Sequence, residues 1–298
     1  MRTKNSIGHF CAIFTILIWG TTFVFTKILL EKSSPIEILF FRFLLGTIAL
    51  CFIYPKRLVV NEKKRELIFA GAGLCGVTLY YLLENIALTY TLVSNVGVIV
   101  SAAPFFTAIV TFLFIKNSER PHINFFIGFA VAIIGIYLIS FSGTSEITFN
   151  PFGDFLALTA AFVWAFYMLF TKKIGEYGYN VIQTTRRVFL YGLLFMIPAL
   201  FIFDFQLNIE NFKDPAYTAN ILFLGLGACA ACFVTWNHAV NILGPVTTTV
   251  YIYAVPVITI ITSAIVLEEK MTSQIIIGTS LTLAGLFISQ LNSFIKKK

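Results

Sequence analysis

Ten stretches of about twenty apolar residues follow one another along the chain, separated by short polar or charged breaks. They lie near 8–30, 35–54, 67–89, 93–115, 122–141, 153–171, 181–203, 217–240, 245–267 and 272–294. A helix rises about 1.5 Å per residue, so about twenty residues cross the ~30 Å hydrocarbon core of a bilayer, and each stretch predicts one membrane span. Two boundaries rest on weaker signals. The uncharged run after Glu84 and before Lys116 exceeds one span, and Thr89-Tyr90-Thr91 is the turn that divides it. The run 214–268 divides at Asn241-Ile242-Leu243-Gly244-Pro245, where Gly and Pro break a helix. The first stretch follows a basic N-terminal segment with no A-x-A cleavage site after it, so it reads as an uncleaved first helix.

Composition agrees with the pattern. Hydrophobic residues make up 58% of the 298 residues and charged residues 12%, with a mean hydropathy of +0.88. A water-soluble domain carries roughly 25% charged residues, so half that number leaves most of the surface to lipid. The net charge of +7 is spread over short clusters between apolar stretches, so no nucleic-acid partner is expected. With both termini in the cytoplasm, Arg2, Lys4, Lys56, Arg57, Lys63, Lys64, Arg65, Lys116, Arg120, Lys172, Lys173, Lys296, Lys297 and Lys298 fall inside, against Lys32, Lys213 and Lys270 outside. That bias predicts a multi-pass protein of the cell membrane with both termini cytoplasmic. The five cysteines, Cys11, Cys51, Cys75, Cys229 and Cys232, all lie in apolar stretches and predict neither a disulfide framework nor a metal site. Cys229 and Cys232 read as small helix-packing residues.

The chain also matches itself. Trp19/Trp164, Lys27/Lys172 and Arg42/Arg187 are each 145 residues apart. Gly71/Gly225 and Cys75/Cys229 are 154 apart, Asn85/Asn237 and Pro104/Pro256 152, and Gly128/Gly278 and Gly135/Gly285 150. The offset changes fall in loops or turns, where insertions are tolerated. Two halves, 1–144 and 145–298, are therefore predicted. Five spans is an odd number, so the second half enters the membrane from the opposite side. The predicted fold is an all-α integral membrane protein of ten transmembrane helices, arranged as two inverted five-helix repeats. That architecture suits alternating access around a central site.

An ordered series of motifs runs through both halves. The first holds Trp19-Gly20, Lys27, Pro35-x-Glu37, Arg42, Asn85-x-Ala87-Leu88, Pro104 and Glu119; the second holds Gly153-Asp154, Trp164, Arg187, Trp236-Asn237-x-Ala239, Pro256, Glu269 and Gly278. The series resembles the EamA domain of the drug/metabolite transporter superfamily, in two copies that cover nearly the whole chain. The resemblance implies ten helices and carrier-type transport of amino acids, other metabolites or drugs, often outward. Two positions depart from the family pattern: Asn180 stands where a proline is usual, and Lys116-Asn117 where Leu-Gly is usual. Both bear on loop geometry.

A carrier needs a water-accessible pocket near the bilayer midplane. Trp19 and Trp164 lie mid-span, away from the interfaces where Trp concentrates, and Tyr80, Tyr167 and Tyr253 lie at or near mid-span. Buried Trp and Tyr require partners for N–H and O–H, so they mark either a polar lumen or ordinary aromatic packing. An aromatic wall would suit a partly apolar or cationic substrate. Glu84 is an acid inside a span. It binds a substrate ammonium, carries a coupled proton, or pairs with Arg42 or Lys27 near the outer interface. His238, near the inner end of its span, is a proton-coupling group or a polar packing residue. Ser101 belongs to a stripe of small or kinking residues at three-four spacing, with Ser94, Gly97, Pro104, Ala108 and Thr111, which lines a pathway or permits close packing. Pro104 and Pro256 each remove a backbone hydrogen bond and predict kinks, suited to gating or simply fixed. Arg42 and Arg187 anchor a substrate carboxylate, gate the pathway, or lock helix ends onto loop carbonyls.

These observations point to a secondary carrier for small metabolites, amino acids or related amphipathic compounds, with multidrug or cation efflux as the neighbouring alternative. No G-x-x-x-x-G-K-[ST] loop is present, so the chain alone does not use ATP, and a proton or substrate gradient supplies the energy. No cofactor is expected. An intramembrane enzyme would need a concentrated constellation such as H-E-x-x-H or paired aspartates, whereas the few His and acidic residues are scattered. A membrane scaffold or receptor leaves a full-length repeat unexplained. A ten-helix unit with its own central axis can work as a monomer or a homodimer.

Overall fold

The computed structural model describes residues 2–60, 62–115, 123–140 and 151–295. The 144/145 boundary, Lys116-Asn117, Glu119, Arg120 and the lysines 296 to 298 lie outside these residues. The described residues are helical, without strands. The helices are α1 (Arg2–Leu29), α2 (Pro35–Ile53), α3 (Lys63–Tyr90), α4 (Val93–Phe114), α5 (Ile123–Ser140), α6 (Pro151–Gly175), α7 (Val181–Ile202), α8 (Pro215–Leu243), α9 (Pro245–Val266) and α10 (Ser273–Ile295). All but α5 and α10 are long and apolar enough to cross a membrane. Those two hold shorter apolar segments, Ile123–Leu138 and Ser273–Ser289, among the described residues.

The outward faces are apolar. Phe10, Phe52, Leu67 and Phe201 are 69%, 84%, 70% and 81% exposed. In water such a surface would lose about 25 cal/mol per Å² of apolar area, and a hydrocarbon solvent removes that cost. Polar groups such as Thr15, Arg42, Glu84, Asn85 and Ser101 are buried instead.

Helix ends follow local chemistry. Ser34 and Glu37 form a reciprocal capping box at the start of α2, with Pro35 in its first turn, where no N–H is needed. Asn180 caps α7 by accepting from the N–H groups of Ile182 and Gln183, so the departure from the family proline substitutes one helix start for another. Asp214 caps α8. The α8–α9 break falls at Gly244, whose φ of +82° suits glycine, followed by Pro245 in the first turn of α9. The α4 N-terminus is capped from afar: Glu269 accepts from the N–H groups of Val93 (2.8 Å) and Ser94 (3.2 Å).

Four helices are irregular inside the core, and the irregularities fall at corresponding places. α3 widens to π-helix over Leu74–Leu79 and α8 over Phe223–Ala231. α4 is interrupted at Ser101 and Ala102, and α9 tightens to a 3-10 turn over Val250–Ala254. Pro104 and Pro256 sit just after these interruptions, in the first turn of the resumed helix. They therefore start fresh helical segments rather than kink a continuous one, because a first-turn proline forfeits no intrahelical bond.

The first five helices pack mainly on the last five. α1 lies against α8 and α9, α2 against α7 and α8, α3 against α6 and α7, and α4 against α6 and α9. α5 runs along α10, and their backbones touch through glycine. A Cβ on Gly128 would stand 2.3 Å from the Gly285 carbonyl oxygen, and one on Gly285 2.4 Å from that of Gly128. Only glycine permits that approach. The core of the molecule is therefore the seam between the two sets of helices.

Candidate functional site

An aromatic cluster fills this seam. Trp19 of α1 meets Trp164 of α6 edge-on at 5.5 Å, and Trp164 meets Tyr80 and Tyr167 at 4.7 Å each. Trp236 and Phe233 of α8 pack on Trp19 at 5.0 and 5.6 Å. Beside this cluster lies a cavity lined by Trp19, Thr22 and Phe23 of α1, Tyr80, Tyr81 and Glu84 of α3, Val100 and Ala103 of α4, Trp164 of α6, and Ile252 and Val255 of α9. Its volume, ≈ 30 Å³, holds water rather than a metabolite. At this size the lining side chains would have to part before cargo could enter.

The polar inventory of the wall is short. Trp19 donates through Nε1 to the Ala228 carbonyl at 3.0 Å, within the π-helical part of α8. The Trp164 indole nitrogen has no hydrogen-bond partner among the described residues. Glu84 is 2% exposed and interacts with Tyr80, one turn earlier on the same face. Arg42, fully buried on α2, stands one layer behind: its guanidinium lies 4.3 Å over the Tyr81 ring, and Nε donates to Cys229 Sγ at 3.2 Å.

Of the residues singled out in the sequence, Trp19, Tyr80, Glu84 and Trp164 share this wall; Glu84 is buried within the helices, near enough to Arg42 for the two charges to attract. Four others do not reach it. Ser101 is buried and donates to the Val98 carbonyl. Tyr167 stands behind Trp164 and donates to Asn237 Oδ1 at 2.7 Å. Tyr253 is half-buried beside the lining residue Ile252, and His238 is half-buried on α8, away from the cavity. Pro104 and Pro256 each follow a wall residue, Ala103 and Val255. Arg187 is separate, paired with Glu66, and lines a wider groove of ≈ 430 Å³ between α2 and α7 together with Arg57 and Arg186. The locking of loop carbonyls is done by its neighbour Arg186, which donates to the carbonyls of Tyr54 and Lys56 at 2.6 Å.

The wall residues passed over in the sequence carried a signal. Trp19, Thr22 and Phe23 are one helical face at i, i+3, i+4, and Tyr81 precedes Glu84 by three residues. Val100/Ile252 and Ala103/Val255 repeat the 152-residue offset of the two prolines. Among the described residues there is no group of three or more His, Cys, Asp or Glu placed to hold a metal ion.

The EamA-like transporter family model matches residues 6–141 and again 151–291. The chain belongs to that family. It is a multi-pass membrane protein of a transporter family, with relatives of matching length. An "Uncharacterized transporter" of Archaeoglobus fulgidus is 30% identical over 290 residues, covering 96% of this chain and 98% of that one. The "Probable terminal-alkyne amino-acid exporter" of Streptantibioticus cattleyicolor is 24% identical, covering 96% and 94%. The "Probable amino-acid metabolite efflux pump" of Salmonella typhimurium is 26% identical, covering 94% and 93%. A solved crystal structure superposes over the full length of both chains with a TM-score of 0.68 at 15% identity, a likeness of fold.

Proposed function

We propose that this EamA-like protein is a secondary carrier that exports small amphipathic metabolites, amino acids or close relatives of them, by alternating access. The observation that carries this reading is the small cavity at the helix seam, where a buried carboxyl and aromatic rings meet. A buried acid in a membrane interior is costly, and a role in handling cargo or a coupled proton accounts for it. The names of two relatives, an amino-acid exporter and an amino-acid metabolite efflux pump, support the substrate class.

The mechanism rests on ten transmembrane helices in two inverted halves, 1–144 and 145–298, with both termini cytoplasmic. Two matches to one family model and the paired irregularities of α3/α8 and α4/α9 support this arrangement. Rocking of one half against the other opens the cavity to alternate sides. Glu84 among aromatic rings also favours a second reading, efflux of organic cations, through charge and cation–π attraction.

The deciding experiment is counterflow of labelled amino acids into proteoliposomes, with Trp164→Ala as control. Uptake of one or a few amino acids that the control abolishes sustains the carrier reading. Folded protein that moves neither amino acids nor organic cations refutes it.

A further inference from the structure

Arg42 is the least explained charge in the molecule. Its side chain is fully buried, and both terminal nitrogens, Nη1 and Nη2, have no hydrogen-bond partner among the described residues. A guanidinium carries five N–H donors, and this one spends a single donor on a thiol sulfur, a weak acceptor. Among the described residues no carboxylate lies within ion-pair distance of it; Glu84 attracts it from further away, without a direct contact. The Tyr81 ring at 4.3 Å supplies a cation–π contact but no acceptor for the N–H groups.

The neighbouring arginines show what a structural role looks like in this fold. Arg186 directs two nitrogens at two loop carbonyls, and Arg187 spends its donors on both oxygens of Glu66. Arg187 is also the counterpart of Arg42 across the 145-residue offset, so the same chain has a paired version and an unpaired version of one position. Desolvating a guanidinium is costly, and one thiol hydrogen bond with ring contacts leaves both of its terminal nitrogens without acceptors.

Tyr81 links this group to the cavity. Its ring lies under the Arg42 guanidinium, Tyr81 is also a lining residue of the cavity, and Glu84 lies three residues on, along the same face of α3. An acid and an unpaired cation therefore flank one aromatic side chain.

We propose that Arg42 is the carboxylate anchor of the transport site. Its two free nitrogens take both oxygens of a substrate carboxylate when the Tyr81 ring turns aside, and Glu84 takes the ammonium group of the same molecule. The cargo is then a zwitterionic α-amino acid with an apolar side chain, which the aromatic wall accepts. A parallel pair of N–H···O bonds to a carboxylate is the arrangement the guanidinium fork fits best. This inference rests on the carrier reading given above, and adds that the site reads both ends of its cargo.

The test compares three substrates of one shape on the wild-type chain: leucine, leucinamide and isopentylamine, with the phenylalanine and methionine series alongside. Counterflow into proteoliposomes is measured for each, together with quenching of tryptophan fluorescence, since Trp19 and Trp164 line the cavity. The expected result is a preference of about 100-fold or more for the free acid, because a site that hydrogen-bonds a group rejects analogues lacking it. Arg42→Lys and Arg42→Gln should flatten that preference in protein that remains monodisperse, and Tyr81→Phe should keep it. Amides and amines moved as well as the acids would overturn the role of Arg42 while leaving a carrier, then of cations. An Arg42→Gln variant that retains the preference would overturn it too. Movement of none of the nine compounds by folded wild-type protein would sink the amino-acid reading and this inference with it.

Discussion

Gly76→Ala tests whether the helix seam positions the cavity wall. An ideal Cβ at Gly76 lies 2.1 Å from Tyr167 Cδ2 and 2.4 Å from Cγ. These atoms are the inner part of the ring, not the tip of a flexible chain. The ring must retreat by about 1.3 Å to restore an ordinary contact near 3.4 Å. The Tyr167–Asn237 bond of 2.7 Å then stretches to about 4 Å, beyond hydrogen-bonding range. Polar side-chain bonds between membrane helices contribute on average about 0.6 and at most about 1.7 kcal/mol, and overpacking costs about 1–3 kcal/mol. The total is about 2–5 kcal/mol, with packing the larger part. A melting temperature lower by about 5–10 °C follows, read from tryptophan fluorescence at fixed lipid composition. Counterflow should fall as well, because Trp164 rests on Tyr167 at 4.7 Å and is pushed into a cavity of only ≈ 30 Å³. In a Tyr167→Ala background the same glycine substitution meets no ring and should add almost nothing. Wild-type melting of Gly76→Ala, or simple additivity in the double variant, would refute the reasoning.

Other positions give equally direct tests. Glu269→Ala removes the acceptor for the Val93 and Ser94 N–H groups and should cost about 0.5–2 kcal/mol, seen as earlier hydrogen exchange in the first turn of α4; unchanged exchange there would refute the cap. Gly128→Val forces α5 from α10 against backbone atoms that cannot yield, so its melting should drop further than that of Gly227→Ala, where the nearest atoms are 3.6 Å away. The exposed Lys32–Asp214 pair at 2.5 Å holds the Asp214 carboxyl below its ordinary 3.8, through the Lys32 hydrogen bond first, and raises Lys32 above 10.5. Its stabilising effect is thus full at neutral pH. It is lost as pH falls through the depressed aspartate value or rises through the raised lysine value. The melting difference between wild type and Asp214→Asn should therefore be constant from about pH 5 to 9 and shrink at pH 3, and a difference that grows towards acid would contradict the pairing.

Hydrophobic patterning by itself determined where the helices run, because a membrane span must satisfy its own backbone and present some twenty apolar residues whatever its neighbours do. The turn at Thr91 and the break at Gly244-Pro245 were legible for the same local reason, a failure of helix chemistry. Trp19 and Trp164 stood out because an indole N–H is expensive at mid-span, and Glu84 because any acid inside a span is, so position along the chain was enough to single them out. Rotation about each helix axis was not legible. In lipid both faces of a span are apolar, so periodicity does not tell a seam-facing residue from an outward one. Tyr167 is buried yet sits behind the wall, and Ser101 falls where α4 breaks its register. Contacts such as Gly76 on Tyr167, Gly128 on Gly285 and Trp19 on Ala228 decide those rotations, and each joins residues more than 90 positions apart. Arg42 and Arg187 make the point most sharply. They occupy one place in the repeat, but only packing against Cys229 and Tyr81, or against Glu66, leaves one guanidinium unpaired and satisfies the other.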